Sequence, residues 1–349
     1  GWFQSSLMTS VALHDRAPYK ICVTHGFVVD VDGKKISKSS SYSKPMDAAH
    51  FVGKHGADLV RLWVSSVNYT DDVPFSEEMF TRLSDTYRRI RNTLRILLGN
   101  LYDFDPVASA TPAATLVDRW IIERLNSVNS DCCVAYESYE FHKVYHTLNQ
   151  FCAVDLSSLY IDITKDRMYC DAPGSPRRRA TQTAMHQIFG ALCRLLAPIM
   201  VFTAEEAWGY LGASGSVHLQ LFPRADGPTN TQAVDRVNEL LKLRGLIGQA
   251  VEGARQEKLI GNALEATVTL RCDRSAIAEI SKEELEEFFI LSDLTIEDGA
   301  EAEASISKTP FQKCARCWRH RPSVGASSAH PDLCDRCDQV VGRIGKDTE

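Results

Sequence analysis

Apolar side chains recur every three or four positions over most of residues 76–211, the spacing that aligns them on one face of an α-helix. The clearest series is Leu83, Tyr87, Ile90, Leu94, Leu97 and Leu101. The same spacing predicts three more long helices, over 116–136, 140–163 and 180–196. A shorter helix, A-E-E-A-W-G-Y-L, follows them, and Thr203 is its expected N-cap. Long helices with short links predict an antiparallel bundle.

The regions on both sides of the bundle mix helix and strand patterns. Before it, residues 2–13 have a helical pattern with Phe3, Leu7 and Val11 as its packing face, and the runs at 21–24 and 27–29 are rich in residues that strands prefer. Asp47 is the expected start of a short helix over 48–55 that ends at Gly56. After it, the patterns predict in order a helix over 234–258, a strand over 263–270, a helix over 282–289 and a strand over 294–296. The acidic, Ala- and Ser-rich stretch 297–307 is interpreted as a tether.

These patterns divide the chain into four parts, and the predicted fold class is mainly α. We expect an α/β piece over 1–65, a helical bundle over 66–222, a linker and small α/β domain over 223–305, and a cysteine-rich module over 306–349.

Composition narrows the class of protein. The chain has 349 residues, 44% of them hydrophobic, and its mean hydropathy of −0.19 is typical of soluble globular proteins. No apolar run is long enough to span a bilayer, so we expect no membrane contact and a cytoplasmic location. The first residues have neither an initiator Met nor the features of a signal peptide, so we interpret the sequence as beginning inside a domain. Nothing in the pattern demands a dimer, and we expect a monomer.

The strongest chemical signal is a pair of C-x-x-C motifs near the C-terminus. Cys314 and Cys317 form the first motif, and Cys334 and Cys337 form the second after sixteen intervening residues. Four thiolates at this spacing suit tetrahedral Zn²⁺. Because all four positions are filled, no site remains for water, and we expect one structural zinc ion. Two histidines lie between the motifs, but a complete thiolate set makes them unnecessary.

A second signal is the lysine- and serine-rich segment K-I-S-K-S at 35–39, which follows an Asp-Gly turn. Lys35 and Lys38 are three residues apart, so their ammonium groups can converge on one polyphosphate. Ser37 and Ser39 add hydroxyl donors. The alternative is a solvated basic surface loop.

Two further basic features have functional and structural interpretations. His25 follows a predicted strand beside the lysine loop, where it could contact a nucleotide or simply serve the fold. Arg88, Arg91 and Arg95 form a stripe on one predicted helix, which suits phosphate contacts, the alternative being a solvated charged face. The net charge of −6 limits any nucleic-acid binding to local patches of this kind.

The cysteine-rich module also carries an aromatic residue among basic ones. Trp318 lies between Arg316 and Arg319, and basic side chains interleaved with an indole suit a single-stranded base and its phosphates. The alternative is that Trp318 packs the small core of the zinc module.

Taken together, these segments resemble a known family. K-I-S-K-S resembles the K-M-S-K-S loop of class I aminoacyl-tRNA synthetases, with Ile36 in place of the usual Met. The isoleucyl branch is indicated by longer segments, among them G-W-F-Q-S-S-L, H-G-F-V-V-D, G-A-D-L-V-R-L-W-V-S-S, Y-R-R-I-R-N-T and L-A-P-I-M-V-F-T-A-E-E-A-W, and by the four-cysteine terminus. The resemblance covers essentially the whole chain and is to the C-terminal portion of a longer synthetase.

The resemblance implies ATP-dependent attachment of isoleucine to its tRNA, with ATP and Mg²⁺ bound as substrate. Lys38 would contact the ATP phosphates and stabilise the pentacovalent α-phosphate as isoleucine displaces pyrophosphate. Lys35 would assist, Ser37 and Ser39 would position the loop, and His25 would lie near ATP. Residues 1–65 would be the end of a Rossmann-like catalytic domain and 66–222 the anticodon-binding domain. The arginine helix and the zinc ribbon would grip the anticodon stem and loop.

The family's H-I-G-H motif and its editing domain have no counterpart in the sequence, so we do not expect this chain alone to activate isoleucine. The other hypothesis is a stand-alone RNA-binding module with a structural zinc ion and no catalysis.

Overall fold

A computed structural model describes residues 2–36, 47–113, 115–212, 214–224 and 231–346. Three residues of the predicted lysine loop, Ser37, Lys38 and Ser39, lie outside these ranges. Among the residues inside them, none forms a helix long and apolar enough to cross a membrane.

The N-terminal part contains α1 (Trp2–His14), β1 (Val28–Val29), α2 (Ala48–His55), α3 (Ala57–Ser66) and β2 (Val73–Pro74). Strands β1 and β2 pair in parallel. Helix α2 begins where the Asp47 carboxylate accepts a hydrogen bond from the backbone N–H of His50 at 2.7 Å. It ends at Gly56, whose φ of +87° favours glycine. This start and end agree with the sequence prediction.

Two predictions for the N-terminal part are wrong. The run at 21–24 forms no strand, and its apolar residues Ile21 and Val23 are 62% and 48% exposed. A strand needs a neighbour for its backbone groups, and the only strand that pairs with β1 among the described residues is the short β2. Helix α1 forms as expected, but Phe3 and Val11 of its expected packing face are 42% and 45% exposed, and Phe3 stacks on the Tyr19 ring 5.4 Å away.

The bundle comprises α4 (Glu77–Asn100), α5 (Leu116–Glu137), α6 (Phe141–Gln150), α7 (Ile161–Cys170), α8 (Pro176–Leu196) and α9 (Val201–Tyr210). Its core is that predicted from the spacing: of the α4 series, all members are buried except Tyr87, which is partly buried. Burying one leucine side chain of this kind contributes about 1.5–3 kcal/mol. Helix α8 packs against both α4 and α5.

Helices α6 and α7 are joined without a break by a π-helical segment, Phe151–Tyr160. Its wider turns leave room for two serine hydroxyls to bond carbonyls five residues earlier. Ser157 donates to the carbonyl of Cys152 at 2.7 Å, and Ser158 donates to that of Ala153 at 2.9 Å. The predicted helix over 140–163 is therefore present in a widened form that apolar spacing does not reveal.

The predicted cap of α9 is wrong. Thr203 lies inside the helix, and the first turn is capped from another part of the chain. Asp58 of α3 accepts hydrogen bonds from the backbone N–H groups of Phe202 and Thr203, at 3.2 and 2.7 Å, and from the Thr203 hydroxyl at 2.6 Å. A carboxylate at this end of a helix also offsets the positive end of the helix dipole.

The C-terminal part contains α10 (Thr231–Gln256), β3 (Ala266–Cys272), α11 (Lys282–Phe289), β4 (Asp293–Asp298), β5 (Glu303–Lys308) and α12 (Asp335–Lys346). Helix α10 packs along α5 of the bundle and against β5. The sheet has the order β4-β3-β5, with β4 parallel and β5 antiparallel to β3.

The stretch interpreted as a tether is instead part of this sheet. Strand β5 pairs with β3 over its full length, with Ile306 opposite Val268 and Ala304 opposite Leu270. These two side chains are partly buried on the core, whereas the polar residues between them face outward. The predicted boundary at residue 305 therefore falls inside a strand.

Candidate functional site: a zinc ribbon and an arginine-lined groove

The four C-terminal cysteines converge on one point. Their Sγ atoms all lie within 4.8 Å of one another, and three of the four residues are buried. The Sγ atoms of Cys317 and Cys334 are 3.8 Å apart. Zn–S bonds of about 2.3 Å in a tetrahedron require an S–S separation of about 3.8 Å. The donor set therefore fits Zn²⁺ in both chemistry and size.

Hydrogen bonds couple the thiols of the cluster. Those from Cys317 and Cys334, with a further one from Arg316, lower the pKa of Cys337, whereas hydrogen bonds with Cys317 and Cys337 raise the pKa of Cys334. The two nearby histidines are engaged elsewhere: His320 Nδ1 lies 2.7 Å from the carbonyl of Phe311, and His330 Nδ1 lies 2.6 Å from Asp338. The four cysteines thus form the complete ligand set, as expected.

The zinc ribbon, defined here as residues 311–340, is attached to both the bundle and the small α/β domain. Arg316 donates to the backbone carbonyls of Cys170 and Tyr169, at 2.5 and 3.2 Å. Arg319 is only 7% exposed and donates to the carbonyl of Leu291 at 3.1 Å. These contacts correct the interpretation of Arg316 and Arg319 as RNA-contacting residues, because both guanidinium groups point into the domain interface.

Trp318 has the opposite orientation. Its side chain is 62% exposed, and its φ of +66° is unusual for a large residue. The ammonium of Lys313 lies 5.3 Å from the centroid of the indole ring. The alternative in which Trp318 packs the core of the ribbon does not agree with this exposure. An exposed indole beside a cation suits a stacked nucleobase and its phosphate.

The arginine stripe lies on the exposed face of α4. Arg88 pairs with Asp85 on its own helix at 3.3 Å. Arg91 and Arg95 are also exposed, and within the described ranges neither has a carboxylate partner. Two charges left unpaired on one helix face are available for phosphate groups.

Arg91 and Arg95 line a groove between α4 and α9, with a volume of about 130 Å³. Its floor is apolar and includes Leu94 and Phe189, both buried. On the α9 side the groove is lined by Tyr210, which is 70% exposed, and by the carboxylate residue Glu206. An apolar floor, one exposed ring and two arginines form a surface suited to a base and its phosphates.

The lysine loop is described only at its start. Lys35 forms an isolated antiparallel bridge with Val29, and its ammonium lies 3.6 Å from the centroid of the Phe27 ring. His25 is exposed, and its Nδ1 lies 2.7 Å from the carbonyl of Gly26. Lys38, Ser37 and Ser39 lie outside the described residues, so their predicted roles stay predictions.

One polar cluster was missed by the sequence analysis. Arg167 is completely buried and joins two parts of the chain: Asp118 of the bundle lies 2.9 Å from its Nη1, and Glu287 of α11 accepts from its Nε at 2.8 Å and from its Nη2. Tyr160 also donates to Asp118, at 2.8 Å. The signal available in the sequence was the run K-D-R-M-Y, in which polar residues interrupt a helical pattern.

Three family models match the chain. Residues 1–76 match "tRNA synthetases class I (I, L, M and V)" and residues 118–270 match "Anticodon-binding domain of tRNA ligase". Residues 311–340 match "Zinc finger found in FPG and IleRS", which supports zinc as the metal of the cysteine cluster. The fold and the sites thus define a class I aminoacyl-tRNA synthetase.

The relatives that were compared define the family more narrowly. Isoleucine–tRNA ligases from Methylacidiphilum infernorum, Syntrophotalea carbinolica and Geobacter sulfurreducens are 45%, 41% and 40% identical over 98% of this chain. The chain belongs to the isoleucine–tRNA ligase family. It spans 38%, 38% and 39% of the length of these relatives.

A solved structure supports the fold alone. It is the ternary complex of a LeuRS from Agrobacterium radiobacter K84 with tRNA and LeuAMS, with a TM-score of 0.50 and 19% identity. The similarity covers 76% of this chain and 28% of that chain.

Proposed function

We propose that this chain provides the ATP-phosphate loop and the tRNA-binding domains of an enzyme that attaches isoleucine to its tRNA. The observation that carries the proposal is the groove of the bundle, where Arg91 and Arg95 have no carboxylate partner among the described residues and Tyr210 is open to solvent. Family membership supports the choice of substrates in this proposal: isoleucine, ATP with Mg²⁺, and isoleucine tRNA.

In the first step, isoleucine attacks the α-phosphate of ATP and pyrophosphate leaves. Lys38 and Lys35 contribute fixed positive charge where negative charge develops on the phosphates, and Ser37 and Ser39 hold the loop by hydrogen bonds. Lys35 now lies against Phe27, and an exposed cation–π contact is worth only about 0.5–1 kcal/mol. That contact is weak enough for Lys35 to exchange the ring for a phosphate. We also place His25 near the bound ATP.

In tRNA binding, Arg88, Arg91 and Arg95 neutralise phosphates along the bundle while Trp318 stacks on an unpaired base. Arg316 and Arg319 orient the ribbon and do not touch RNA. Zinc, held by the four thiolates with no open coordination position, stabilises the ribbon and takes no part in the chemistry.

Binding of an isoleucine tRNA transcript to the chain tests this function. The double variant Arg91→Gln, Arg95→Gln should weaken binding and lower the slope of log K against log salt, by about 0.7–0.9 for each phosphate that the arginines no longer neutralise. Arg255→Gln is the matched control, because Arg255 is an exposed arginine of α10 paired with Glu252 at 3.0 Å. An unchanged slope in the double variant would exclude the groove from RNA binding.

A further inference from the structure

Besides the carbonyl contacts of Arg316, one carboxylate of α7 attaches the ribbon to the bundle. Asp166 accepts two hydrogen bonds from Arg336, at 2.7 and 2.8 Å, and Arg319 Nη2 lies 3.7 Å from the same carboxylate. The Asp166 side chain is 14% exposed and that of Arg336 is 34% exposed, so the pair is partly shielded from solvent. Paired, planar contacts of this kind fix orientation as well as distance.

The two arginines that bind Asp166 lie next to the two cysteine motifs in the chain. Arg319 is adjacent to Trp318 in the chain, and its backbone carbonyl accepts the N–H of Cys314 at 2.9 Å, while the N–H of Trp318 donates to the carbonyl of Cys314 at 3.0 Å. Arg336 lies beside the metal ligand Cys337 in the second motif. Residues beside both motifs of the ribbon are therefore linked to Asp166, and Arg319 is held in addition by the Leu291 carbonyl at 3.1 Å and lies 3.8 Å from Glu286.

We propose that Asp166 is a positioning residue that orients Trp318 for RNA binding by fixing Arg319 and Arg336 of the ribbon. The inference rests on the proposed function, because it assumes that Trp318 contacts tRNA. Asp166 itself is directed into the interface and does not touch RNA. A rigid, pre-oriented aromatic side chain binds more tightly because less freedom is lost when the base stacks.

Loss of Asp166 should tilt the ribbon without releasing it. Arg336 Nη1 also lies 3.7 Å from Asp171, which offers a second carboxylate once Asp166 is gone. Arg316 retains its contact with the carbonyl of Cys170. The expected consequence is a misdirected indole on a folded, zinc-loaded ribbon.

The experiment combines a double-mutant cycle with a spectroscopic readout. Isoleucine tRNA binding is measured for the chain, Asp166→Asn, Trp318→Ala and the double variant. Zinc content is measured in each. The chain is also labelled with 5-fluorotryptophan, and the ¹⁹F resonance of Trp318 is assigned by its absence in Trp318→Ala. Glu239→Gln is the matched control, because it removes one exposed carboxylate paired with Lys242 at 2.6 Å, far along the chain from the ribbon.

We expect Trp318→Ala to weaken binding about tenfold, within the range for one base–aromatic stack. Asp166→Asn should weaken binding about three- to tenfold when Trp318 is present and less than about twofold when it is absent. It should also shift the Trp318 resonance at unchanged zinc content, and Glu239→Gln should do neither.

The results separate the two proposals. An unshifted Trp318 resonance in Asp166→Asn overturns the positioning role. An equal loss of affinity with and without Trp318 overturns it as well, because Asp166 would then act by another route. Unchanged binding by Trp318→Ala rejects the RNA contact of the proposed function, and the resonance still decides whether Asp166 orients the indole.

Discussion

Replacing Arg167 by Met is expected to destabilise the junction between the bundle and the small α/β domain. The substitution keeps much of the side-chain volume but removes the guanidinium that binds Asp118 and Glu287. Both carboxylates are almost completely buried, with 0% and 2% exposure. Their desolvation was offset by Arg167, so the variant is left with two buried negative charges and fewer donors.

The magnitude follows from what remains around each carboxylate. Breaking a buried ion pair by removing one partner costs about 3–5 kcal/mol. Asp118 retains the hydroxyls of Thr115, Tyr160 and Thr181, at 2.6, 2.8 and 3.1 Å, whereas Arg177 at 3.6 Å is the only side chain among the described residues that still pairs with Glu287. We therefore expect a loss of about 3–4 kcal/mol, most of it from Glu287.

Urea unfolding followed by circular dichroism measures this loss. Neutralising the stranded carboxylate, in the double variant Arg167→Met, Glu287→Gln, should recover about 1–2 kcal/mol because an amide is less costly to bury than a charge. Lys242→Met, at an exposed i,i+3 pair of α10, is the matched control and should change stability by less than about 0.5 kcal/mol. A loss below about 1 kcal/mol in Arg167→Met, or no recovery in the double variant, would refute the reasoning.

Three further outcomes are expected. The purified chain should contain one zinc ion, and Cys314→Ser should lower the zinc content measured by atomic absorption whereas the exposed Cys22→Ser should not; full zinc in Cys314→Ser would contradict the four-thiolate site. In a full-length ligase carrying this sequence, Lys38→Ala should lower kcat of ATP–pyrophosphate exchange by about 100-fold at unchanged KM for isoleucine, and Lys34→Ala should have little effect; equal effects would deny Lys38 its role. Burial raises the pKa of Asp103, but hydrogen bonds from Arg178 and Gln182 outweigh it, and the net pKa is lowered. The stabilisation is therefore present above the unfolded pKa of about 3.9 and lost as pH falls through the lower folded value, so Asp103→Asn should lower the urea midpoint more at pH 6 than at pH 2.5; an equal loss at both would contradict it.

The helices were predictable because their apolar spacing is strong over many turns. The series from Leu83 to Leu101 describes the buried face of α4, and the span 282–289 coincides with α11. Spacing does not reveal partners, however. The β-branched run at 21–24 lacks a neighbouring strand, while strand β5 finds β3 despite its acidic surroundings. Strand formation depends on pairing across the chain, which local composition does not record.

The metal site was predictable because its ligands lie close together in the sequence. The four cysteines carry their own spacing rule, and the structure brings their sulfur atoms together. The roles of the basic residues were less predictable, because a guanidinium group binds a protein carboxylate or carbonyl as readily as a phosphate. Of the arginines beside Trp318, Arg316 and Arg319 point inward to carbonyl groups, and only the tertiary structure distinguishes them from Arg91 and Arg95.

The cap that Asp58 supplies to α9 bears on how the chain can be divided. The first turn of α9 takes its acceptors from α3, and Arg61 of α3 also donates to the carbonyls of Pro198 and Ile199, at 2.6 and 3.1 Å. A segment trimmed to begin at residue 66 would leave those N–H and C=O groups without partners. The smallest autonomous form of the bundle must therefore include α3. Helix α9 lines one side of the arginine groove, and its first turn is capped by a residue more than a hundred positions earlier in the chain.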